Sequence, residues 1–387
     1  MIPFSFSPRR GPMLKPLPIR RAGMTLVELL VVVAIIGLLA VTVLPNMAST
    51  TENRRSREAA RVTSTFFAKA QSRAIGRPEW AGVTIVPTNA NVLHAIDLVQ
   101  ANVPQVYRGE TFGSKAWING WNPLTRSLGF NDAPPLARKI ANGDLIRFDG
   151  SGPWYELGVS AGPTPSYSLR FRGSVGGSAS AVELATQNSR NTPWPTQNSD
   201  TNNPQDVPHT FEVLRQPVRN GMPFTIPDSR CIDMSWSGFG GSPGAVGLKT
   251  YHTFVGEDFN RDRTLDIGED LDGDGSLDML ASVETSILFD STGRVRQILW
   301  GTNRTTVTGP VYLLVGRVDR AANDPMFKST YDGNDDAKGF NWQYGDSYWI
   351  AIDPASGIIK TAECLPGQAD VIASQKLIRS EMPAGGK

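Results

Sequence analysis

Residues 257–278 hold the densest group of side chains that could bind a metal ion. This stretch, EDFNRDRTLDIGEDLDGDGSLD, contains nine acidic residues and two arginines. So many carboxylates in a short segment repel one another unless a cation or water compensates their charge. Oxygen atoms of carboxylates, amides and backbone carbonyls are the ligands that Ca²⁺ prefers. The composition therefore favours a calcium-binding loop, and a solvated acidic loop is the alternative.

The spacing of these residues matches two consecutive loops of the EF-hand type. The first loop places ligand residues at Asp258, Asn260, Asp262, Thr264, Asp266 and Glu269. The second places them at Asp270, Asp272, Asp274, Ser276 and Asp278. The first loop departs from the pattern at Arg263, where glycine is usual, and the second at Ala281, where glutamate is usual. Strand-like segments flank the loops, so we expect a structural Ca²⁺ site inserted between strands.

The sequence gives little support for an enzyme. The three histidines, His94, His209 and His252, lie in separate strand-like segments. The motifs H-E-x-x-H and C-x-x-C do not occur, and calcium binding accounts for the paired carboxylates. We therefore expect that the protein is not an enzyme.

An apolar run near the N-terminus determines on which side of a membrane the rest of the chain lies. Met24–Leu44 reads MTLVELLVVVAIIGLLAVTVL, in which Glu28 is the only charged residue. Its length suits a helix that crosses a bilayer. The preceding 23 residues are basic: Arg9, Arg10, Lys15, Arg20 and Arg21. A basic flank stays in the cytoplasm, so we expect a single-pass inner-membrane protein whose C-terminal body is extracytoplasmic.

The residues around the start of this run carry a family resemblance. An ordinary signal peptide has its small-residue cleavage site after the apolar run, whereas here Gly23 precedes it. Gly23, then Met24, then Glu28 at the fifth position of the processed chain resembles the type IV pilin and pseudopilin family. The resemblance implies cleavage after Gly23 by prepilin peptidase and N-methylation of Met24. It also implies that Glu28 pairs with the terminal ammonium of a neighbouring subunit. A plain membrane anchor with a tolerated glutamate is the alternative.

Past the membrane we expect the helix to continue as an amphipathic segment. Apolar residues recur at helical spacing: Ala59, Val62, Phe66, Ala70 and Ala74. Gly76 and Pro78 indicate that the helix ends there. The chain thus divides into a leader (1–23), a transmembrane half-helix (24–45), an amphipathic half-helix (46–76) and a β-rich body (77–387).

The body reads as a series of short strands. Strands are predicted at Gly82–Val86, Val92–Val99, Asp144–Phe148, Tyr167–Arg172, His209–Arg215, Arg230–Trp236, Thr250–Val255, Glu284–Phe289, Val295–Trp300, Val311–Gly316 and Ser347–Ile352. Hairpin turns are predicted at 290–293 and 353–357, and a long surface loop at 173–208. The expected fold is α+β: a long N-terminal helix packed on an antiparallel sheet with large loop insertions. The body is also similar, diffusely, to the minor pseudopilin H of type II secretion. Residues 98–230 have no counterpart in that likeness.

Two further features bound the function. The net charge is +1 and the leader carries +5, so the remaining 364 residues carry −4, which argues against general nucleic-acid binding. Cys231 and Cys364 are the only cysteines, and the extracytoplasmic compartment favours a disulfide between them. Two buried free thiols are the alternative.

We therefore expect a subunit of a type II secretion or type IV pilus fibre. The large body favours a minor subunit. Its partners would be the prepilin peptidase and methylase, other pilins or pseudopilins along the N-terminal helix, and the inner membrane. One alternative is a minor pilin that binds a surface, a ligand or DNA. Another is a membrane-anchored calcium-binding protein that never joins a fibre.

Overall fold

The computed structural model describes the following residues: 25–89, 92–119, 126–131, 139–151, 154–160, 166–171, 208–240, 251–254, 284–300, 303–307, 309–321, 339–368 and 371–382. Gly23, Met24 and the predicted calcium loop lie outside these ranges, as do the side chains of residues 39–50. The chain divides into two compact units, Met1–Thr51 and Glu52–Lys387.

Helix α1 is Leu26–Ala74. It ends where the sequence predicts, because Gly76 has a φ of +75° that a side chain would disfavour. The Gly76 backbone N–H donates to the Ser291 carbonyl at 3.1 Å, which satisfies one amide at this end. Within the described residues, no helix combines the length and apolarity needed to cross a membrane.

The body of the second unit is built from antiparallel strands and short helices. The strands are β1 (Ala81–Pro87), β2 (His94–Asn102), β3 (Ala116–Asn119), β4 (Arg126–Phe130), β5 (Leu145–Phe148), β6 (Tyr155–Ser160), β7 (Ser166–Phe171), β8 (Phe211–Leu214), β9 (Val218–Arg219), β10 (Phe224–Thr225), β11 (Arg230–Gly240), β12 (Tyr251–Thr253), β13 (Thr285–Phe289), β14 (Val295–Trp300), β15 (Asn303–Thr305), β16 (Val311–Arg317), β17 (Tyr348–Ile352) and β18 (Ile359–Glu363). The helices are α2 (Val318–Ala321), a 3₁₀ turn (Asn341–Gln343), α3 (Val371–Ser374) and α4 (Lys376–Glu381). These elements confirm the α+β class, and each predicted strand overlaps an observed one.

The larger sheet has the strand order β15-β14-β13-β1-β2-β11-β16-β17-β18, with β9 and β10 paired to β2 and β12 paired to β11. One face buries the part of α1 from Glu52 onward, through a core that includes Ala59, Phe67, Ile232 and Leu313. Because side chains alternate along a strand, the neighbours of Leu313 on β16 point to the opposite face. There they pack with Trp349 and the C-terminal helices in a second core.

A second, smaller sheet lies within residues 98–230, the region that has no counterpart in the family likeness. Its strand order is β3-β4-β7-β6-β5-β8. Ala116, the first residue of β3, exchanges two backbone hydrogen bonds with His209, just before β8, at 2.9 and 2.8 Å. This pair joins the two ends of the sheet, so the six strands close into a small barrel around their own apolar core. The long surface loop predicted at 173–208 lies almost wholly outside the described residues.

The barrel is an insertion that leaves the larger sheet intact. Asn102, the last residue of β2, pairs with Val218, the first residue of β9. The chain therefore departs from the sheet and returns to it at neighbouring positions. An insertion of this kind adds a folded module without breaking the ladder on either side.

The two predicted hairpin turns meet at the end of α1. The turns join β13 to β14 and β17 to β18, as the sequence predicts. The Gln71 side-chain amide donates to the carbonyl oxygens of Gly293 and Gly357, at 2.8 Å each. Both glycines have positive φ, +82° and +71°. Turn chemistry that is local in sequence thus fixes where the helix ends on the sheet.

The predicted disulfide is not formed: Cys231 and Cys364 are both free and buried. Cys231 lies on β11 opposite Gly316 of β16, and the Cys364 N–H donates to Ser347, which adjoins β17. Two strands therefore separate the cysteines, a distance of about 14 Å at ~4.8 Å per strand. A disulfide tolerates a Cα separation of about 7 Å at most. An oxidising compartment favours a disulfide only between cysteines that the fold brings together, and the strand order keeps these two apart.

Substitution of Gly357 tests the contact between the turns. Gly357→Ala should lower the free energy of unfolding by about 3 kcal/mol, since the methyl group adds overpacking to the strain of a positive φ. The new Cβ would overlap the carbonyl oxygen of Gly293. Gly76→Ala is the control, because its φ of +75° matches and no atom lies within 4 Å of the added carbon. It should cost about 1–2 kcal/mol. Equal losses, measured by urea unfolding of the full chain in detergent, would contradict the contact.

Candidate assembly surface on the N-terminal helix

Helix α1 starts directly after the predicted cleavage site. The Thr25 side-chain oxygen accepts the backbone N–H of Glu28 at 3.2 Å, and the Thr25 carbonyl accepts the N–H of Leu29 at 3.1 Å. Thr25 is therefore the N-cap of the helix. Glu28 lies in the first turn, where the helix dipole stabilises a negative charge. Cleavage after Gly23 would leave the new terminus one residue before the cap.

The first turns of α1 expose apolar side chains on every side. The exposed large hydrophobic residues are Leu26, Val27, Leu29, Leu30, Val31, Val32, Val33, Ile35, Ile36 and Leu38. Exposed apolar surface costs about 25 cal/mol per Å² in water, and continuous patches of it mark membrane or protein contacts. Glu28 is the one charged residue between Leu26 and Leu38. A helix of this kind needs an apolar partner, either lipid or similar helices.

The second part of α1 is held to the sheet by a buried arginine. The Arg230 side chain is 4% exposed and forms an ion pair with Glu52, which is 32% exposed. Its Nε atom donates to Ser56 Oγ at 2.7 Å. The hydrogen bond from Arg230 lowers the pKa of Glu52, against a smaller opposing effect of burial. No sequence pattern indicates this cluster, because Glu52 and Arg230 are far apart in the chain and no motif connects them.

A second contact from α1 reaches the far edge of the sheet. Arg57 donates from Nε to the Tyr348 hydroxyl and from Nη2 to the Glu363 carboxylate, both at 3.3 Å. The Tyr348 hydroxyl also donates to Glu363, at 2.8 Å. The predicted apolar stripe follows these polar contacts along the helix: Ala59, Ala70 and Ala74 are fully buried. Val62 and Phe66 are partly buried.

Of the predicted site residues, the structure describes Glu28 and the two cysteines. The processing residues Gly23 and Met24 and the calcium ligands at 258–278 lie outside the described residues. In the part of the chain that is described, no three His, Cys, Asp or Glu side chains come together in a way that would hold a metal.

Two of the histidines have described side chains, His94 on β2 and His209 just before β8. His209 Nδ1 lies 2.6 Å from an Asp149 carboxylate oxygen on the barrel, and burial lowers the pKa of His94. Residues 240–244, GGSPG, have the spacing of the hydrolase motif G-x-S-x-G. That motif needs a strand followed by a helix, and residues 241–250 lie outside the described residues.

Comparison with known proteins gives one match. Residues 19–44 match the family model for the prokaryotic N-terminal methylation motif. No curated protein and no solved structure matches the chain. The motif, together with the exposed apolar helix that starts within it, supports a pilin-like subunit that is processed by prepilin peptidase. More particularly, the match supports the type IV pilin and pseudopilin family, as Gly23, Met24 and Glu28 predict, and favours a structural subunit over an enzyme. It covers the N-terminus alone.

The ion pair between Glu52 and Arg230 predicts unequal effects when one or the other of its two members is replaced. Glu52→Ala should lower the free energy of unfolding by about 3 kcal/mol, because it leaves the Arg230 charge buried and unpaired. Arg230→Met should cost less, since water can solvate the partly exposed Glu52. The double variant Glu52→Ala/Arg230→Met should be more stable than Glu52→Ala alone. Urea unfolding of the full chain in detergent measures all three, and additive losses would contradict the buried pair.

The same pair predicts a pH dependence. The folded-state pKa of Glu52 lies below its ordinary value of 4.5, so its stabilising effect is complete above that pH and is lost as the pH falls through the folded-state pKa. The difference in unfolding free energy between the wild type and Glu52→Gln should therefore shrink between about pH 6 and about pH 3. A difference that stays constant on acidification would show that the ion pair contributes nothing.

Proposed function

We propose that this protein is a pilin-like subunit that is cleaved between Gly23 and Met24 and assembles, as a minor component, into a type II secretion or type IV pilus fibre. The observation that carries the proposal is the exposed apolar helix surface with a single glutamate, which lies within the region that matches the methylation motif. Within a fibre, copies of such a helix cover one another's apolar surface.

Before assembly, residues 24–45 would span the inner membrane, with the leader in the cytoplasm and the body outside. An unpaired Glu28 in the bilayer costs about 3 kcal/mol. Pairing with the methylated terminal ammonium of a neighbouring Met24 removes much of this cost. The pairing would therefore favour fibre assembly over isolated subunits in the membrane and would set the register between them.

The size of the body supports a minor subunit. A larger sheet and an inserted barrel follow α1, so the head is bulkier than the helix that would pack into a fibre. A bulky head is tolerated at the end of a fibre more easily than along its shaft. An anchored protein that never joins a fibre would share the cleavage but would not copurify with other pilins.

We also propose that residues 257–278 bind Ca²⁺ as a structural ion. The spacing of Asp258 through Glu269 supports a complete ligand set, whereas the second loop lacks its closing glutamate. Ion binding to the folded state alone would stabilise the body in a calcium-rich exterior.

Replacement of Glu28 tests assembly. Glu28→Gln should still be cleaved and membrane-bound, but its amount in sheared fibres should fall about tenfold or more, because the amide cannot neutralise the terminal ammonium. Immunoblotting of sheared and membrane fractions from cells measures the ratio. Glu58→Gln is the control, since Glu58 is exposed and pairs with the nearby Arg61. Incorporation of Glu28→Gln at the wild-type level would contradict the pairing, and a wild type absent from fibres would favour the anchored alternative.

Calcium removal tests the loop. Chelation with EGTA should lower the melting temperature of the full chain, and millimolar Ca²⁺ should restore it while equal Mg²⁺ should not. Glu269→Gln should abolish most of this response. Glu257→Gln, at a neighbouring position outside the ligand pattern, should retain it. A melting temperature that is insensitive to EGTA in the wild type would refute calcium binding.

A further inference from the structure

One end of the inserted barrel carries a cleft that no sequence motif predicts. The cleft has a volume of about 560 Å³. It lies where the loop at 108–114, the turn at 149–150 after β5 and the start of β8 meet. Its lining is mixed, with charged, hydroxyl and aromatic side chains beside glycine backbone. A site of this kind, concave and with convergent polar groups, is typical of small-ligand binding.

Phe112 supplies an aromatic surface to this cleft. Its side chain is fully exposed, at 113% of the reference accessibility. The phenyl ring therefore gains nothing from the protein's own core. An aromatic ring held in solvent at the edge of a polar cleft is suited to stack on a flat apolar surface of a ligand.

The carboxylates of the cleft are held in fixed positions. Asp149 accepts hydrogen bonds from the Thr210 backbone and hydroxyl, at 3.1 and 3.0 Å, and lies 2.6 Å from His209 Nδ1. Asp149 adopts a φ of +50°, which is uncommon for a residue with a side chain. These contacts fix the carboxylate before any ligand arrives.

Two glutamates are held in the same way. Glu212 is clamped between Arg108, at 2.7 Å, and Arg147, at 2.5 Å. Glu110 accepts from the Tyr107 hydroxyl at 2.9 Å and from Lys139 at 2.7 Å. Pre-positioned polar groups reduce the ordering cost of binding.

The charges around the cleft balance, and this balance restricts the class of ligand. Among the described residues, Glu212 pairs with Arg108 and Arg147, Glu110 pairs with Lys139, and Asp149 is held by His209. Three acids in the lining thus stand beside three arginine and lysine side chains, of which Lys139 and Arg147 lie behind the lining. A phosphate-rich polymer would need surplus positive charge. A metal ion would need carboxylates that are not already paired with bases. A neutral ligand that has many hydroxyl groups and one apolar face fits both the balance and the exposed ring.

We propose that this cleft binds a neutral saccharide. The C–H face of a sugar ring would stack on Phe112, and its hydroxyl groups would bond to the fixed carboxylates and to Arg108. The proposal is independent of fibre assembly, because the barrel carries the site by itself.

Binding of neutral oligosaccharides to the full chain tests the proposal. Linear tetrasaccharides of glucose, mannose, galactose and N-acetylglucosamine would be titrated by saturation-transfer NMR, in a detergent without a sugar headgroup. At least one should bind, and Phe112→Ala should weaken it about tenfold through loss of stacking. Met222→Ala is the matched control, since Met222 is an exposed apolar residue between β9 and β10, outside the residues that line the cleft.

Heparin tetrasaccharide and a mixed decapeptide library serve as competing probes of other chemistry. The proposal expects weaker binding of both than of the best neutral sugar. It is overturned if no neutral tetrasaccharide binds at millimolar concentration, if Phe112→Ala and Met222→Ala bind alike, or if heparin or peptides bind more tightly. Because Phe112 is fully exposed, its removal should leave the unfolding curve unchanged, which separates loss of the ligand from loss of the fold.

Discussion

The structure depends on the burial of one face of helix α1, from Glu52 onward, against the larger sheet. Fully buried alanines, Ala59 and Ala70 among them, let the helix backbone approach the strands closely, and Phe67 fills the space between them. Burying this face closes the apolar core that the helix shares with the sheet, and apolar burial stabilises by about 25 cal/mol per Å². Arg230 and Gln71 then fix the helix along its axis with polar contacts near the two ends of the buried segment. Without the helix, one face of a broad antiparallel sheet would be open to water.

One helix therefore serves two kinds of contact. From Leu26 to Leu38 its apolar residues are exposed, whereas from Ser56 onward one face of the helix is buried in the body. The body also contains an insertion. The chain leaves the larger sheet after Asn102 to form the barrel and rejoins the sheet at Val218, and these two residues pair with each other. A sheet that keeps its ladder across an insertion can acquire a new surface without altering the helix contact. The proposed assembly surface and the proposed saccharide cleft are for this reason on separate elements.

Features of this fold that depend on neighbouring residues could be predicted from the sequence, whereas contacts between distant parts of the chain could not. Strands with β-branched runs and the turns at Gly293 and Gly357 depend on neighbouring residues, so composition and spacing were sufficient. Strands β3, β4 and β6 are short or interrupted by glycine and polar residues, and were missed. The closure of the barrel between Ala116 and His209, and the pairing of Glu52 with Arg230, join distant parts of the chain and leave no pattern in it. The disulfide prediction was wrong for the same reason: it rested on the oxidising compartment, which does not indicate how far apart the strand order places Cys231 and Cys364. The helix surface around Glu28 was predictable because its motif is contiguous.

The central claim is that the N-terminus of the mature protein is created at Met24. Intact mass and N-terminal sequencing of the membrane form, from cells with and without active prepilin peptidase, test it most directly. We expect a chain that begins with methylated Met24 and lacks residues 1–23, and that remains full length when the peptidase is inactive. A chain that stays uncut in normal cells, or one cut beyond Leu44, would contradict the pilin-like assignment and leave an anchored β-rich protein.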